Sequence, residues 1–232
     1  MNSLEKTMDK QLLVVDKIDE CVEKSKVKAY DFIKRGIDIV IGLIGCIALL
    51  PLIIMVKIIN IINKEDGSVF YVQKRIGKNG KPFKLYKFRT MVVDADKKLK
   101  KILAEDEDLR NEYAINKKMK NDPRVTKTGR FLRKTSIDET PQFINILKGD
   151  MSLVGNRPYL LREKKYMGRY YKDIIKTKPG LTGLWQTSGR SAISFNKRLE
   201  IEKTYSDNYS LKTDIKIIFK TILDVFKCRG AI

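Results

Sequence analysis

The segment from Ile37 to Val56 reads IDIVIGLIGCIALLPLIIMV and contains Asp38 as its only charged residue. A helix of this length can cross the hydrocarbon core of a bilayer. The segment begins too far from the N-terminus for a signal peptide and lacks a small-residue cleavage site. We therefore expect a membrane helix, with a buried helix of a soluble domain as the alternative.

Two features favour a re-entrant helix over a spanning one. Both flanks are basic, with Lys34 and Arg35 before the apolar run and Lys57 and Lys64 after it. The positive-inside rule therefore places both ends in the cytoplasm. Pro51 lies near the middle, where it removes a backbone hydrogen bond and kinks a helix. The pattern predicts a helix that enters the membrane, bends at Pro51 and leaves by the same face.

Composition limits both the partners and the chemistry. The 232 residues include 48 Lys and Arg against 28 Asp and Glu, a net charge of +20 that attracts nucleic acid, anionic membranes or phosphate-rich substrates. The chain has no histidine, so nucleophile–histidine pairs and most zinc sites are excluded. Cys21, Cys46 and Cys228 are too widely spaced for a disulfide framework, which is typical of a reduced cytoplasmic setting.

The rest of the chain predicts a mostly helical α+β fold in three parts: an N-terminal amphipathic helix (1–33), the membrane helix (34–63) and a cytoplasmic domain (64–232). Aromatic stretches at 69–72 and 83–88 flank an Asn-Gly turn and predict a β-hairpin. Residues 94–120 carry dense charge of both signs, as a solvated helix does. The stretch 211–228 predicts an amphipathic helix, either at the membrane surface or in the core.

The candidate site lies in RFLRKTSIDETPQFINILKGDMSLVGNRP, residues 130–158. Asp138 and Glu139 stand together at an apparent helix start, and Ser136 with Glu139 matches a capping box, so helix capping explains them without any function. However, Arg133 and Arg157 bracket the pair, and carboxylates among cations stay ionised. One could then attack phosphorus while the other holds Mg²⁺.

The sequence resembles the bacterial sugar transferase family, the small monotopic polyprenol phosphate phosphoglycosyl transferases. The resemblance covers roughly residues 31 to 230, and the motifs that carry it occur in order. They are Lys34-Arg35-x-x-Asp38, Lys87-Phe88-Arg89-Thr90-Met91, Arg133-Lys134-Thr135-Ser136-Ile137-Asp138-Glu139-x-Pro141-Gln142, Lys148-Gly149-Asp150-Met151-Ser152-Leu153-Val154-Gly155, Lys178-Pro179-Gly180-Leu181-Thr182-Gly183 and Gln186-Thr187-Ser188-Gly189-Arg190.

The resemblance implies a transferase at the cytoplasmic face of the inner (plasma) membrane, in which residues 64–232 form the catalytic domain. Its substrates would be a UDP-sugar, with galactose or glucose as the sugar, and undecaprenyl phosphate. Asp138 would attack the β-phosphate, expel UMP and hold the phosphosugar covalently, in a ping-pong reaction that begins capsule, exopolysaccharide or O-antigen synthesis. Glu139, alongside Asp138, would bind Mg²⁺. The resemblance is compatible with a homo-oligomer, and we expect no nucleic acid as a binding partner.

The same resemblance implies further substrate contacts. Arg133 and Arg157 would meet phosphate oxygens, a role that suits bidentate guanidinium groups. Lys87 and Arg89 would face phosphate or lipid headgroups, with an exposed strand face of no function as the alternative. Gln186 and Arg190 would belong to the nucleotide or sugar region. Asp214 matches a family aspartate on the last helix, with an ordinary surface charge as the alternative. Trp185 could stack on uracil or be buried in the core.

The sequence differs from the family pattern at two positions, and two other functions remain as alternatives. Asn156 stands in a turn that often reads Gly-Pro-Arg-Pro in the family, and Leu50 precedes Pro51 where a serine is usual. One rival is a membrane-tethered nucleic-acid-binding protein, in which aromatic and basic residues of 83–88 bind a single strand. The other is a transferase that moves only the sugar and releases UDP.

Overall fold

The computed structural model describes residues 3–116, 119, 121–189 and 193–226. One helix, α1 (Ser3–Ile62), joins the two N-terminal segments that the sequence predicts, so the expected boundary at residues 33 and 34 lies inside it. Sixty residues make a helix about 90 Å long. Pro51 lies within α1, which is helical on both sides of it. The re-entrant bend stays a prediction.

The β-hairpin is confirmed. Strands β1 (Phe70–Ile76) and β2 (Pro82–Phe88) are antiparallel. Asn79 occupies the turn with φ of 57°, a left-handed conformation that asparagine adopts more readily than most residues. A second, parallel pair joins β3 (Ser152–Val154) to β4 (Gly180–Thr182). No sequence pattern predicted this pair, because both strands are only three residues long.

The helical content is also confirmed. The mixed-charge region forms two helices rather than one, α2 (Ala95–Glu105) and α3 (Glu107–Asn116). The break falls at Asp106, whose carboxylate accepts a hydrogen bond of 2.9 Å from the Leu109 amide and so caps the second helix. The remaining helices are α4 (Lys127–Lys134), α5 (Gln142–Lys148), α6 (Lys164–Met167), α7 (Tyr171–Ile174), α8 (Phe195–Asp207) and α9 (Leu211–Phe226).

One face of α1 packs on the folded domain through α5. A side chain at Gly45 would lie 2.3 Å from the ring of Phe143, so only glycine allows this approach. Further along, Leu49 and Val56 are buried in a cluster with Phe88. Hydrophobic burial along α1 therefore attaches the helix to the domain instead of leaving it as a separate stalk.

The opposite face of α1 is apolar and exposed. By length and hydropathy, α1 is the described helix that could cross a membrane. On α9, Ile217 packs into the core while Phe219 and Ile222 are exposed. Both helices thus present apolar side chains outward, as membrane association requires. The exposed apolar residues of the two helices include Ile39, Val40, Leu43, Ile44, Ile47, Leu50, Ile54, Ile58, Ile215 and Leu223.

Both ends of the apolar segment contact the same domain. At its start, the carboxylate of Asp38 accepts hydrogen bonds from the Ser152 hydroxyl (3.0 Å) and the Leu153 amide (2.8 Å). At its end, the Asn63 amide group donates to the Thr128 hydroxyl at 3.1 Å. The polar domain therefore lies beside the whole segment and holds both of its ends.

Candidate active site

The carboxylate pair lies in a short 3₁₀ turn, Ile137–Glu139, just before α5. Ser136 precedes the turn in the left-handed region with φ of 57° and forms no side-chain cap. Instead, the Glu139 amide donates to the backbone oxygen of Ser136 at 3.3 Å. The capping-box explanation of the Ser136–Glu139 spacing is therefore wrong.

Lys87 binds both carboxylates from strand β2. Its Nζ lies 2.5 Å from Oε1 of Glu139 and 3.9 Å from Oδ2 of Asp138. The Asp138 side chain is 14% exposed, so it is largely shielded from water but can still be reached. The two residues are adjacent in sequence, yet only Glu139 forms a short ion pair.

The two carboxyl groups have opposite pKa shifts. Burial raises the pKa of Asp138, and the neighbouring Glu139 adds to the rise while Lys87 opposes it. Desolvation acts in the same direction on Glu139, but the charge and hydrogen bond of Lys87 outweigh it and lower the pKa of Glu139. Two adjacent groups with separated pKa values are typical of sites that give each group its own role. Asp138 is the more basic of the pair, and Glu139 is the more firmly ionised.

Arg133 and Arg157 approach the pair from different elements. On α4, the Nε of Arg133 donates to the Thr90 hydroxyl at 3.0 Å, and its charge lowers the pKa of Asp138. Arg157 follows β3, and its charge lowers the pKa of Glu139. The structure thus places both predicted arginines close enough to act electrostatically on the two carboxylates.

Arg75 is a further cation that the motif analysis did not select. Its guanidinium group donates to the Pro158 carbonyl at 2.9 Å. Burial and the charge of Arg157 lower the pKa of Arg75 to about 10, and Arg75 in turn lowers the pKa of Glu139. In the hairpin register, Tyr71 lies opposite Lys87. Arg75 lies four residues beyond Tyr71, so its side chain is on the same face of the hairpin as that of Lys87. This alternation along the strand could have identified Arg75 from the sequence.

Arg198 of α8 was also missed. Its guanidinium carbon lies 4.1 Å from the ring centroid of Trp185, and that of Arg157 lies 5.4 Å from the same centroid. Trp185 is only 7% exposed, which favours the buried alternative over stacking on uracil. In the described part of the chain, the buried Nε atoms of Arg157 and Arg198 have no acceptor. Such a guanidinium cluster would gain from an incoming phosphate.

Helix α8 holds the turn that carries Arg157. Both carboxylate oxygens of Glu202 accept from the Arg157 amide, at 2.9 and 3.1 Å. One helical turn later, the Ser206 hydroxyl accepts from Nδ2 of Asn156 at 2.6 Å. Asn156, a departure from the family pattern, is therefore bonded into this turn and preserves it. Burial raises the pKa of Glu202 to about 8.

Three other predicted residues have hydrogen bonds to groups outside the carboxylate pair. Arg89 donates to the Ser68 carbonyl at 2.8 Å, and Gln186 donates to the Leu181 carbonyl at 3.0 Å. Asp214 is 5% exposed and accepts hydrogen bonds from Tyr30, Lys34 and Tyr205, which tie α9 to α1 and α8. Arg190 lies outside the described residues.

The carboxylate pair provides two oxygen ligands for a metal. Across the described ranges, no group of three or more His, Cys, Asp or Glu side chains forms a metal cluster. Mg²⁺ is commonly held by one or two carboxylates together with water and substrate phosphates. Asp138 and Glu139 therefore fit a Mg²⁺ ion that binds together with a diphosphate.

The chain is similar to known proteins along most of its length. A family model described as bacterial sugar transferase matches residues 29–228. The chain is 43% identical over 203 residues to an undecaprenyl-phosphate galactose phosphotransferase of Salmonella typhimurium, covering 86% of this chain and 42% of that protein. It is 41% identical over 199 residues to the exopolysaccharide production protein ExoY of Sinorhizobium fredii, covering 85% of this chain and 87% of that protein.

A more distant relative is the UDP-glucose:undecaprenyl-phosphate glucose-1-phosphate transferase of Escherichia coli K12. The identity is 34% over 207 residues, covering 86% of this chain and 41% of that protein. The chain thus spans about two fifths of the length of the Salmonella and Escherichia relatives and most of the length of ExoY.

Proposed function

The chain belongs to the bacterial sugar transferase family, and from that premise we propose that it moves a sugar 1-phosphate from a UDP-sugar to undecaprenyl phosphate and releases UMP. The observation that carries the proposal is the Asp138–Glu139 pair, held by Lys87 and faced by arginines. The names of two relatives supply the lipid acceptor and the sugars galactose and glucose. The name of ExoY points to exopolysaccharide synthesis, so we place the reaction at the first membrane step of such a pathway.

In the first step, a carboxylate oxygen of Asp138 attacks the β-phosphorus of the UDP-sugar. A bond forms between that oxygen and phosphorus, and the bond from phosphorus to the bridging oxygen breaks. UMP leaves with the electron pair, and the phosphosugar stays on Asp138 as an acyl phosphate. The raised pKa of Asp138 supports this choice over Glu139, because the more basic carboxylate is the better nucleophile.

In the second step, a phosphate oxygen of undecaprenyl phosphate attacks the phosphorus of the acyl phosphate. The Asp138 carboxylate is the leaving group and is regenerated. The attacking group is a carboxylate in the first step and a phosphate in the second, and a phosphate monoester is anionic near neutral pH because its second pKa is about 6. Neither step then needs a general base, which agrees with a chain that contains no histidine.

Charge neutralisation is the main requirement of such a phosphoryl transfer. Mg²⁺ bound by Asp138 and Glu139 would neutralise the diphosphate and hold it in position. Arg157 and Arg198, whose Nε atoms lack acceptors in the described structure, would bind phosphate oxygens. Arg133, whose charge already acts on Asp138, would add to this positive charge. With Lys87 on both carboxylates, these cations offset the negative charge that two anionic substrates bring together.

Membrane attachment would bring the site to its lipid substrate. The domain holds both ends of the apolar segment, through Asp38 and through Asn63. Because the same domain contacts both ends, we infer that the segment enters and leaves by one face, the cytoplasmic face of the inner membrane. The exposed apolar faces of α1 and α9 would lie in the bilayer.

The test is UMP release by the protein in detergent, with Mg²⁺, undecaprenyl phosphate and a panel of UDP-sugars. Asp138→Asn should lower the rate by at least about a thousandfold, as loss of a nucleophile does. Asp108→Asn, at an exposed site on α3, is the matched control and should retain full activity. UDP as the product would instead indicate transfer of the sugar alone. Equal UMP release by wild type and Asp138→Asn would contradict the proposal.

A further inference from the structure

A cavity lies beside the start of the apolar segment of α1, and its lining residues are not those of the carboxylate site. Its volume is about 110 Å³. A single water needs only about 10–15 Å³, so this cavity has room for a larger polar group. Five cationic side chains line it: Lys34, Arg35, Lys78, Lys176 and Lys178.

Only two carboxylates, Asp31 and Asp38, line the cavity with these cations. Asp38 is already bound by the Ser152 hydroxyl and the Leu153 amide. Asp31 forms a loose and exposed pair with Lys78, at 3.6 Å. The positive charge of the lining therefore exceeds its negative charge.

Lys178 differs from the other four cations, each of which has a close partner in the folded chain. Lys34 pairs with Asp214, Lys176 lies 2.6 Å from Asp173, and Arg35 donates to two backbone carbonyls at 2.8 Å. In contrast, the half-buried Lys178 has no hydrogen bond or ion pair with any residue that the structure describes. Burial and the charge of Arg35 lower the pKa of Lys178, while the charges of Asp38 and Asp31 partly oppose this shift. A further anion in the cavity would offset the repulsion between the cations that line it.

The cavity lies where the polar and apolar surfaces of α1 meet. Next to Lys34 and Arg35, the side chain of Phe32 is 82% exposed, and the exposed apolar face continues along the helix from there. Tyr30 and Tyr209 also line the cavity, with ring centroids 5.0 Å apart. Tyrosine and basic residues together are enriched at the headgroup level of a membrane, where phosphate is the abundant anion.

We propose that this cavity binds a phosphate group, with Lys178 as its principal contact. The phosphate belongs either to the headgroup of an anionic lipid or to a soluble phosphate monoester. The shape and charge of the cavity fit both, because each presents several oxygens that lysine and arginine can bind. This site is independent of the transfer reaction proposed above.

The test counts phosphatidylglycerol molecules bound to the full chain in an uncharged detergent, by native mass spectrometry. Lys178→Gln should bind phosphatidylglycerol about tenfold more weakly, because it loses a charged hydrogen bond. Lys100→Gln makes the same charge change at an exposed site on α2 and should bind as wild type does. Diacylglycerol, which lacks phosphate, should not bind at the site in any of the three proteins.

Glycerol 3-phosphate distinguishes a lipid headgroup from a soluble phosphate monoester as the source of the bound phosphate. If it displaces phosphatidylglycerol from wild type but not from Lys178→Gln, the site accepts a soluble monoester; if it does not, the lipid is the ligand. Should Lys178→Gln fail to fold, Lys176→Gln at the same cavity replaces it and should also weaken binding. Phosphatidylglycerol affinity equal to wild type in the folded variant, or equal binding of diacylglycerol, would overturn the proposal.

Discussion

Lys87 acts differently on the two carboxylates it contacts. It lies against Glu139 and keeps that group charged, whereas it only moderates the effect of burial on Asp138. A site that needs one firmly ionised metal ligand and one basic nucleophile benefits from this asymmetry. The sequence identified both carboxylates and Lys87 through their motifs. It could not show which carboxylate Lys87 prefers, because that depends on distances between β2 and the turn before α5.

The residue-scale prediction concerns the pH dependence of UMP release. Asp138 must be ionised to attack, so activity should fall as the pH drops through its raised pKa. Lys87 lowers that pKa, so Lys87→Gln should raise it further and move the acid limb to higher pH. The rate near neutral pH should also fall by at least about tenfold, because a cation at the developing charge is lost.

Lys84→Gln is the control for this variant, since Lys84 is exposed on the same strand. It should leave both the acid limb and the rate unchanged. A pH–rate profile of Lys87→Gln that overlays the wild-type profile would show that Lys87 does not act on Asp138.

At the scale of elements, helix α8 accounts for the position of Arg157, which the motifs alone could not predict. Residues of α8 lie about 45 positions after Arg157, yet Glu202 holds its amide and Arg198 shares its contact with Trp185. Such contacts join distant parts of the chain, so no local pattern predicts them. The hairpin, in contrast, was predictable, because its Asn-Gly turn and aromatic strands are local signals.

The buried Glu202 predicts a pH-dependent stability. Burial raises the pKa of Glu202 to about 8 in the folded protein, against an ordinary value of 4.5. The folded state therefore binds the extra proton between these values, and its stabilising contribution is lost as the pH rises from about 4.5 to 8. In Glu202→Gln the thermal midpoint should change less over this range than in wild type. Glu200→Gln, at an exposed site on the same helix, should follow wild type.

The contact between α1 and α5 gives a second element-scale prediction. Gly45→Ala would place a methyl group 2.3 Å from the Phe143 ring, and such overpacking costs roughly 1–3 kcal/mol. Gly36 lies in the same helix with nothing within 4 Å of an added side-chain carbon. Gly36→Ala should instead stabilise by about 0.5–1 kcal/mol through helix propensity. Thermal unfolding in one detergent measures both, and equal shifts would contradict the packing of α1 on α5.

For the whole molecule, the apolar stretch was enough to predict a long apolar helix, and its place in a membrane stays a prediction. The sequence could not predict that this helix is continuous with the N-terminal one, nor that the domain packs along it.

The packing of the domain along α1 leads to a topology prediction. In a chain whose native cysteines are replaced by serine, Lys28→Cys and Asp66→Cys flank the segment at exposed positions. An impermeant maleimide should label both in inside-out vesicles, while Ile47→Cys on the apolar face should not react. Labelling of the two flanks from opposite sides would indicate a spanning helix.

The most direct test of the account follows the β-phosphorus of the donor. Protein is incubated with Mg²⁺ and a UDP-sugar labelled at the β-phosphate, without any lipid acceptor. The account predicts close to one equivalent of label on wild-type protein, with matching UMP release, and none on Asp138→Asn. Undecaprenyl phosphate should then remove the label. An unlabelled wild-type protein that still forms the lipid product once the acceptor is added would contradict a covalent intermediate on Asp138.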